Sequence, residues 1–172
     1  MATLPIAWLV ARAAGLVAFG LLTLSVWLGL AMSTRLLGPK RQKALLGLHK
    51  TLVWTGLAML GLHMLAVLLD PTLHFGVLAV LVPFAAPWKS GAIAAGVIAG
   101  WFSLALAVSF RMRKWIGQKG WRRLHYLSFG AFALALGHAL LAAGPVLWLT
   151  FYRLLMPRTA PVPAPRPALA AA

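Results

Sequence analysis

Four long segments without a charged side chain constrain the fold of this chain more than any other feature. They span residues 13–34, 51–69, 90–110 and 124–143, and each has roughly the 20 residues that an α-helix needs to cross a bilayer. Hydrophobic residues make up 62% of the chain and the mean hydropathy is +0.91, values outside the range of soluble globular proteins. The sequence therefore predicts an all-α integral membrane bundle with four transmembrane helices.

A fifth apolar run, residues 145–156, follows a Gly144-Pro145 pair that is typical of a helix break. It is about half as long as a full span. We expect a short fifth crossing there, with an interfacial segment as the alternative. The membrane domain is then expected to cover residues 1–157, and the Pro/Ala-rich tail 158–172 to be disordered.

Basic residues set the expected orientation. Ten of the 16 Lys and Arg side chains lie in two short loops, whereas the loop at 70–91 carries one acid and Lys89. Loops rich in Lys and Arg stay in the cytoplasm, so the amino terminus is expected on the outer side of the membrane. The expected location is the cell membrane, such as a bacterial inner membrane. The same rule explains the net charge of +15 without a nucleic-acid partner. The ten residues are Arg35, Lys40, Arg41 and Lys43, and Arg111, Arg113, Lys114, Lys119, Arg122 and Arg123.

Four of the five histidines form two matched pairs in these apolar segments. The spacing is i to i+14 from His49 to His63, and i to i+13 from His125 to His138. Each spacing corresponds to about 20 Å along a helix, which is too far for one metal ion. Because segments two and four run in the same direction, His49 is expected to face His125 at the cytoplasmic level. His63 then faces His138 at the outer level, and each cross-helix pair suits the iron of a planar macrocycle.

Helix rotation fits the two segments unequally. At about 100° per residue, the i to i+14 spacing returns segment two to within about 40° of its starting face, whereas the i to i+13 spacing leaves His138 about 140° from His125. A local change of pitch near Gly130 or Gly137 would bring the second pair into line. The alternative is that the histidines are core residues bonded to neighbouring backbone carbonyls.

The sequence lacks residues that several other cofactor sites require. It contains no cysteine, which excludes thiolate metal sites, iron–sulfur clusters and covalent c-type haem attachment. No Gly-rich phosphate loop follows a predicted strand, and no segment outside the spans is long enough for a nucleotide or flavin domain.

The histidine-bearing segments resemble the ferric-reductase-like transmembrane domain, a family shared by bacterial membrane oxidoreductases, eukaryotic ferric reductases and the NADPH oxidases. The resemblance covers residues 6–143. It is carried by ARAAGLVAFGLLTLSVWLGL in the first segment, the LHK-x11-LH pattern from Leu48 to His63, the DPTLHFGVLAVLVPF loop, and WRRLHYLSFGAFALALGH from Trp121 to His138.

The resemblance implies that two b haems are ligated, the inner iron by His49 and His125 and the outer iron by His63 and His138. Electrons would cross the membrane from a cytoplasmic donor to an outer acceptor, which would be ferric iron, dioxygen or a partner protein. The chain departs from the family because it has no flavin or nicotinamide domain. Its donor would be a separate flavin/NAD(P)H reductase or a quinol, and any flavin would belong to that partner. The chain would thus be the membrane component of an oxidoreductase.

Arg12 lies near the outer end of the first segment, where an arginine must either reach the headgroups or meet an anion. Asp70 is the only acidic side chain of the chain, so haem propionates are the available anions. The resembling oxidases carry an arginine in a matching A-R-A context near the outer haem, which extends that role to Arg12. Snorkelling to the headgroups is the alternative.

Further residues have more than one interpretation each. His74, in the outer loop, either faces solvent or lines the acceptor site. Basic side chains at the inner face either pair inner-haem propionates, dock an acidic donor or only set the topology; they are Lys50, Arg111, Arg113, Arg122 and Arg123. Aromatic side chains between the histidine levels either fill an inter-haem gap or pack as ordinary core; they are Trp54, Trp101, Phe129 and Phe132.

The sequence is also compatible with two other functions. A haem-binding membrane subunit that feeds a periplasmic methionine sulfoxide reductase resembles the family in its core but usually has additional spans. A non-redox membrane transporter or assembly factor would use the histidines as proton relays. A haem assay separates this last function from the other two.

Overall fold

The computed structural model describes residues 6–34, 38–71 and 73–155, and all regular structure in these ranges is helical. The predicted all-α fold is confirmed for them. The tail 158–172 and the domain boundary at residue 157 lie outside the described residues. The helices are α1 (Ile6–Ser33), α2 (Gln42–Leu68), α3 (Val77–Leu81), α4 (Ser90–His125) and α5 (Leu127–Leu155), with a 3₁₀ turn at Pro39–Arg41 before α2.

Three helical stretches in the described part are long and apolar enough to cross a membrane: Ile6–Ser33, Gln42–Leu68 and Ser90–Ala142. The third is 53 residues long, about 80 Å if it were straight, against about 30 Å of hydrocarbon in a bilayer. It is not straight, because Nζ of Lys89 lies 2.9 Å from the carbonyl oxygen of Leu141. The two ends of the stretch are therefore side by side, and the chain reverses at Gly117 (φ 72°, ψ 163°), so the part of α4 before Gly117 forms a hairpin with the rest of α4 and α5.

The bundle consists of two such hairpins. α1 packs against α2, and α4 packs against α5, whereas the two hairpins touch each other at few points. Small residues allow the close approach within the first hairpin. A Cβ atom built on Gly56 would lie 2.9 Å from the Leu22 side chain, and Ala11, Ala14 and Ala18 of α1 are buried.

The prediction of a separate fifth helix after Gly144-Pro145 is wrong. α5 continues through Pro145 to Leu155 as one helix. Proline has no backbone N–H, so Pro145 leaves the carbonyl of Leu141, four residues earlier, without its helical donor. The ammonium group of Lys89 donates to that carbonyl instead. A side chain from the neighbouring segment thus replaces the missing hydrogen bond, which explains why the helix persists.

The loop between α2 and α4 folds over one end of the bundle. Ala79 and Val80 of its short helix α3 form an apolar cluster with Phe75 and Ala86 of the same loop. Met64 of α2 and Ile93 of α4 pack against this cluster. The indole Nε1 of Trp101 in α4 donates to the carbonyl of Leu81 at 2.9 Å. These contacts fix the loop as a cap over the end of the bundle that carries His63 and His138.

Candidate functional site

A cavity of about 1560 Å³ separates the two hairpins. All four long helices line it, as do residues of the cap. Ligand sites commonly have volumes of about 300–1000 Å³, so this space exceeds what one small ligand needs. The predicted site residues all lie in its wall: His49, His63, His125, His138 and Arg12.

Two histidines face each other across the cavity at the capped end. The ring centroids of His63 in α2 and His138 in α5 are 6.3 Å apart, with an interplanar angle of 75°. Nδ1 of His63 lies 2.7 Å from the carbonyl oxygen of Ala11, and Nδ1 of His138 lies 2.8 Å from that of Ala92. A carbonyl oxygen only accepts, so each Nδ1 carries the hydrogen and donates it. The neutral imidazole then keeps its lone pair on Nε2, the tautomer that a metal ligand needs.

A glycine follows each of these acceptor residues by four positions and leaves the space that the imidazole occupies. A Cβ atom built on Gly15 would lie 2.8 Å from Nδ1 of His63, and one built on Gly96 would lie 2.7 Å from Nδ1 of His138. Real Cβ atoms do not approach other atoms so closely. Each histidine at the capped end is therefore seated in a cradle formed by one carbonyl and one glycine of the preceding helix in its hairpin.

The second pair lies at the other end of the cavity, with His49 and His125 at a centroid separation of 6.2 Å and an interplanar angle of 66°. Nδ1 of His49 lies 3.0 Å from both the carbonyl oxygen and the hydroxyl of Ser25. Gly29 follows Ser25 by four residues, and its built Cβ would lie 3.6 Å from the imidazole, an ordinary contact. His125 differs, because its Nδ1 is buried and has no hydrogen-bond partner. Its ring stacks on Trp121 at 4.9 Å.

A 3₁₀ turn around Tyr126 supplies part of the rotation that aligns His125 with His138 across an i to i+13 spacing. The backbone N–H of Tyr126 donates to Arg123 at 3.2 Å, and that of Phe129 donates to Tyr126 at 3.1 Å, so both bonds span three residues. A 3₁₀ turn advances about 120° per residue against about 100° in an α-helix. The four steps from His125 to Phe129 wound this way add about 80° and reduce the expected misalignment from about 140° to about 60°.

Glycines contribute differently from what the sequence suggested. The change of pitch expected near Gly130 or Gly137 is not there, since α5 is continuous through both. The cradle glycines were missed by sequence reasoning. A signal for them exists: Gly15 and Gly29 have the same i to i+14 spacing as the two histidines of α2.

The described residues form no site for a bare metal ion, because no three or more His, Asp or Glu side chains lie close enough together to ligate the same ion. Each histidine pair offers two ligands. Two imidazoles on opposite sides of one metal ion have centroids about 6.3–6.4 Å apart, since metal–nitrogen distances are about 2.0–2.1 Å and the ring centre lies about 1.1 Å further back. The observed separations of 6.2 and 6.3 Å fit this arrangement. The pairs thus suit a ligand that brings its own in-plane metal donors.

Basic side chains at the wall of the cavity divide between its ends. Arg12 lies at the capped end, next to the acceptor residue of His63, and its guanidinium lies 3.9 Å from the ring centroid of Trp8. At the opposite end, Lys50, Arg111 and Arg122 line the cavity. Two further basic residues named from the sequence, Arg113 and Arg123, are exposed and do not line it.

Aromatic side chains lie between the two histidine levels. Phe132 of α5 stacks on Phe19 of α1 across the cavity, with centroids 6.0 Å apart and an interplanar angle of 14°. Phe132 was named from the sequence and Phe19 was not. Trp54, Trp101 and Phe129 also border the cavity, but about half of each side chain is exposed. His74 is exposed and does not border it.

Comparison of the chain with protein-family models, curated proteins and solved structures gives no significant match. The resemblance described from the sequence therefore rests on its motifs, and the function is argued from the geometry of the cavity.

Proposed function

We propose that this chain is a membrane protein that binds two b haems between its hairpins and conducts single electrons across the bilayer. His49 and His125 would be the axial ligands of the inner haem, and His63 and His138 those of the outer haem. The haem iron supplies the redox chemistry when bound. The chain supplies neutral imidazoles, holds their orientation, and surrounds the site with apolar helices that exclude water.

The observation that carries this proposal is the pairing of imidazoles at bis-ligation distance on both levels. Core histidines need only satisfy their nitrogens, and the carbonyl bonds of His63 and His138 satisfy one nitrogen each. Packing alone gives no reason for a second imidazole to face each of them across a cavity. Two pairs with almost equal centroid separations are expected when one kind of ligand fills both positions.

Four crossings with the amino terminus outside agree best with the distribution of charge. Because the 53-residue apolar stretch folds into a hairpin, α4 and α5 would each cross once. The loop before α2 and the chain reversal at Gly117 are at the same end, since His49 near the start of α2 faces His125, which lies two turns after Gly117. Both connections are basic, which favours the cytoplasm for this end. The cap would then lie outside.

Haem propionates would account for the excess of basic side chains over the one acid, Asp70, in the wall of a mostly apolar cavity. The chain has 16 Lys and Arg against one acid, and that acid, Asp70, is buried. Arg12 would bind propionates of the outer haem, and Lys50, Arg111 and Arg122 those of the inner haem. Arginine suits this role because its planar guanidinium binds a carboxylate through two hydrogen bonds.

The electron would enter from a cytoplasmic reductase or a quinol and leave through the capped end. The two histidine levels are about 20 Å apart along α2, and the Phe19–Phe132 stack occupies the space between them. An acceptor would approach the cap, and ferric iron, dioxygen or a partner protein would serve. A subunit that feeds a methionine sulfoxide reductase would use the same two haems and differ only in its acceptor.

A pyridine haemochrome assay on the purified chain tests the proposal. We expect two haems per chain, both low-spin, reducible by dithionite but not by NADPH. The matched control is His74→Ala, because His74 is the one histidine outside the cavity; this variant should keep both haems. A chain that binds no haem after expression with excess haem contradicts the proposal and leaves the histidines as core residues.

A further inference from the structure

The cytoplasmic end of α4 extends beyond the length that a bilayer needs. The part of α4 before Gly117, residues 90–116, is about 40 Å long, whereas the hydrocarbon core is about 30 Å thick. Its charge-free part ends at Phe110, and Gly117 interrupts the regular helix with φ 72° and ψ 163°. We call residues 111–123 the α4 basic segment.

An exposed apolar stripe continues from the span into this segment without interruption. Val108, Met112 and Trp115 occupy positions i, i+4 and i+7, which lie on one face of a helix, and Ile116 adjoins them. Their exposed fractions are 38%, 44%, 72% and 41%. Val108 belongs to the charge-free span, so the face it shares with Met112 and Trp115 is the face that lipid would cover higher up.

Basic side chains flank this stripe, and four of them have no role in the cavity. All six Lys and Arg of the segment are exposed, but only Arg111 and Arg122 line the cavity. The only acid of the chain, Asp70, is buried beyond the far end of α2, so it offers these four no ion pair. The four residues are Arg113, Lys114, Lys119 and Arg123.

We infer that the α4 basic segment binds anionic phospholipid headgroups, with Met112, Trp115 and Ile116 inserted at the boundary between headgroups and acyl chains. A helix with apolar and aromatic residues on one face and cations beside them is typical of interfacial binding. Anionic lipids of the cytoplasmic leaflet supply the missing negative charge. An acidic protein would match the cations but would leave the apolar stripe, which is continuous with the lipid-facing side of the span, unexplained. The inference needs the membrane orientation proposed above and does not depend on haem binding.

The absence of native cysteine allows one spin label to report the depth of the segment. We would label Ile116→Cys and reconstitute the full chain in vesicles of phosphatidylcholine alone, or of an equal mixture with phosphatidylglycerol. In the mixture, the nitroxide should be accessible to oxygen and shielded from a water-soluble nickel complex. In phosphatidylcholine, and in the mixture at high salt, it should become accessible to nickel, because screening weakens the attraction.

Charge removal tests the mechanism. Each basic side chain near an anionic surface strengthens binding about fivefold, so Arg113→Gln, Lys114→Gln and Lys119→Gln together should weaken insertion about a hundredfold and return the label to water. The matched control removes three exposed cations from the other cytoplasmic loop, through Lys40→Gln, Arg41→Gln and Lys43→Gln, and should leave the label in lipid. Equal label depth in both lipid compositions, or an equal effect of the two triple variants, would overturn the inference.

Discussion

The outer and inner histidine pairs have almost the same separation but are held differently. Both outer imidazoles donate through Nδ1 to a backbone carbonyl and occupy the space beside a glycine. At the inner level only His49 does so, and its glycine leaves more room. His125 is held by stacking on Trp121, with its buried Nδ1 unpaired. The centroid separations of the two pairs are therefore nearly equal, but the imidazole of His125 is held by fewer contacts than the other three.

The difference follows from where each histidine lies in its helix. His63 and His138 are inside regular helices that pack along a neighbour, so a carbonyl and a glycine of that neighbour are always within reach. His125 is the last residue of α4, at the 3₁₀ turn that supplies part of its rotation toward His138. Outer ligands are thus positioned by packing and the inner pair partly by the turn.

The largest expected effect comes from filling the cradles. Gly96→Ala and Gly15→Ala would place a Cβ within 2.7 and 2.8 Å of an imidazole, and overpacking of this kind costs about 1–3 kcal/mol. We expect the outer haem to be lost or weakened about 5- to 150-fold while the inner haem stays.

Gly29→Ala gives the matched inner comparison, because its Cβ would make an ordinary contact at 3.6 Å. It should keep both haems, as should Gly20→Ala, which meets nothing within 4 Å. Haem content and optical spectra of the four variants provide the measurement. Equal losses at both levels would show that the cradles do not differ.

The next effect concerns haem release from the unaltered chain. Hydrogen bonds to the second nitrogen of a ligating histidine typically strengthen metal binding about 10- to 100-fold, and the outer site has two such bonds where the inner has one. The inner site should therefore bind its haem about tenfold more weakly than the outer site does. In a denaturant titration the inner haem should dissociate first. Selective loss of the haem whose signal His49→Ala removes would identify it. Earlier loss of the outer haem contradicts this ranking.

Arg12 should affect only the outer site. A unit charge about 8 Å away contributes about 2 kcal/mol at an effective dielectric constant of 20, and a positive charge favours the reduced haem. Arg12→Gln should lower the outer haem potential by roughly 50–100 mV, and Arg12→Lys by less, because lysine keeps the charge but not the planar fork. A redox titration that finds equal potentials in all three proteins would leave Arg12 as a snorkelling residue.

Ser25 should produce the smallest change, at the inner site. Its hydroxyl lies 3.0 Å from Nδ1 of His49, but its carbonyl is equally close, so Ser25→Ala removes only one of two acceptors. A weaker hydrogen bond makes the imidazole less basic and favours the reduced iron. We expect the inner potential to rise by about 20 mV, given a net hydrogen-bond contribution near 0.5 kcal/mol. Ser33→Ala, whose hydroxyl bonds only Leu30 of its own helix, is the control.

Sequence patterns predicted the helices better than the details that align the histidines. Charge-free length is a property of one segment, so the ends of α1 and α2 were predicted to within one residue, whereas both helices begin seven to nine residues earlier than the charge-free segments, across Arg12 in α1 and across Lys43 and Lys50 in α2. The predicted helix break at Pro145 was wrong because Lys89 supplies the missing hydrogen-bond donor. Lys89 lies far earlier in the sequence, just before α4. The Tyr126 turn has no proline or glycine to mark it. Cradle glycines depend on which helices become neighbours, and a single segment does not encode that.

Paramagnetic resonance of the oxidised chain and its four His→Ala variants tests the central claim most directly. The proposed arrangement predicts two low-spin ferric signals in the unaltered protein. His63→Ala and His138→Ala should each remove the same signal, and His49→Ala and His125→Ala should each remove the other. A variant that keeps both signals, or a pair whose members remove different ones, would contradict the assignment of two haems to these two histidine pairs.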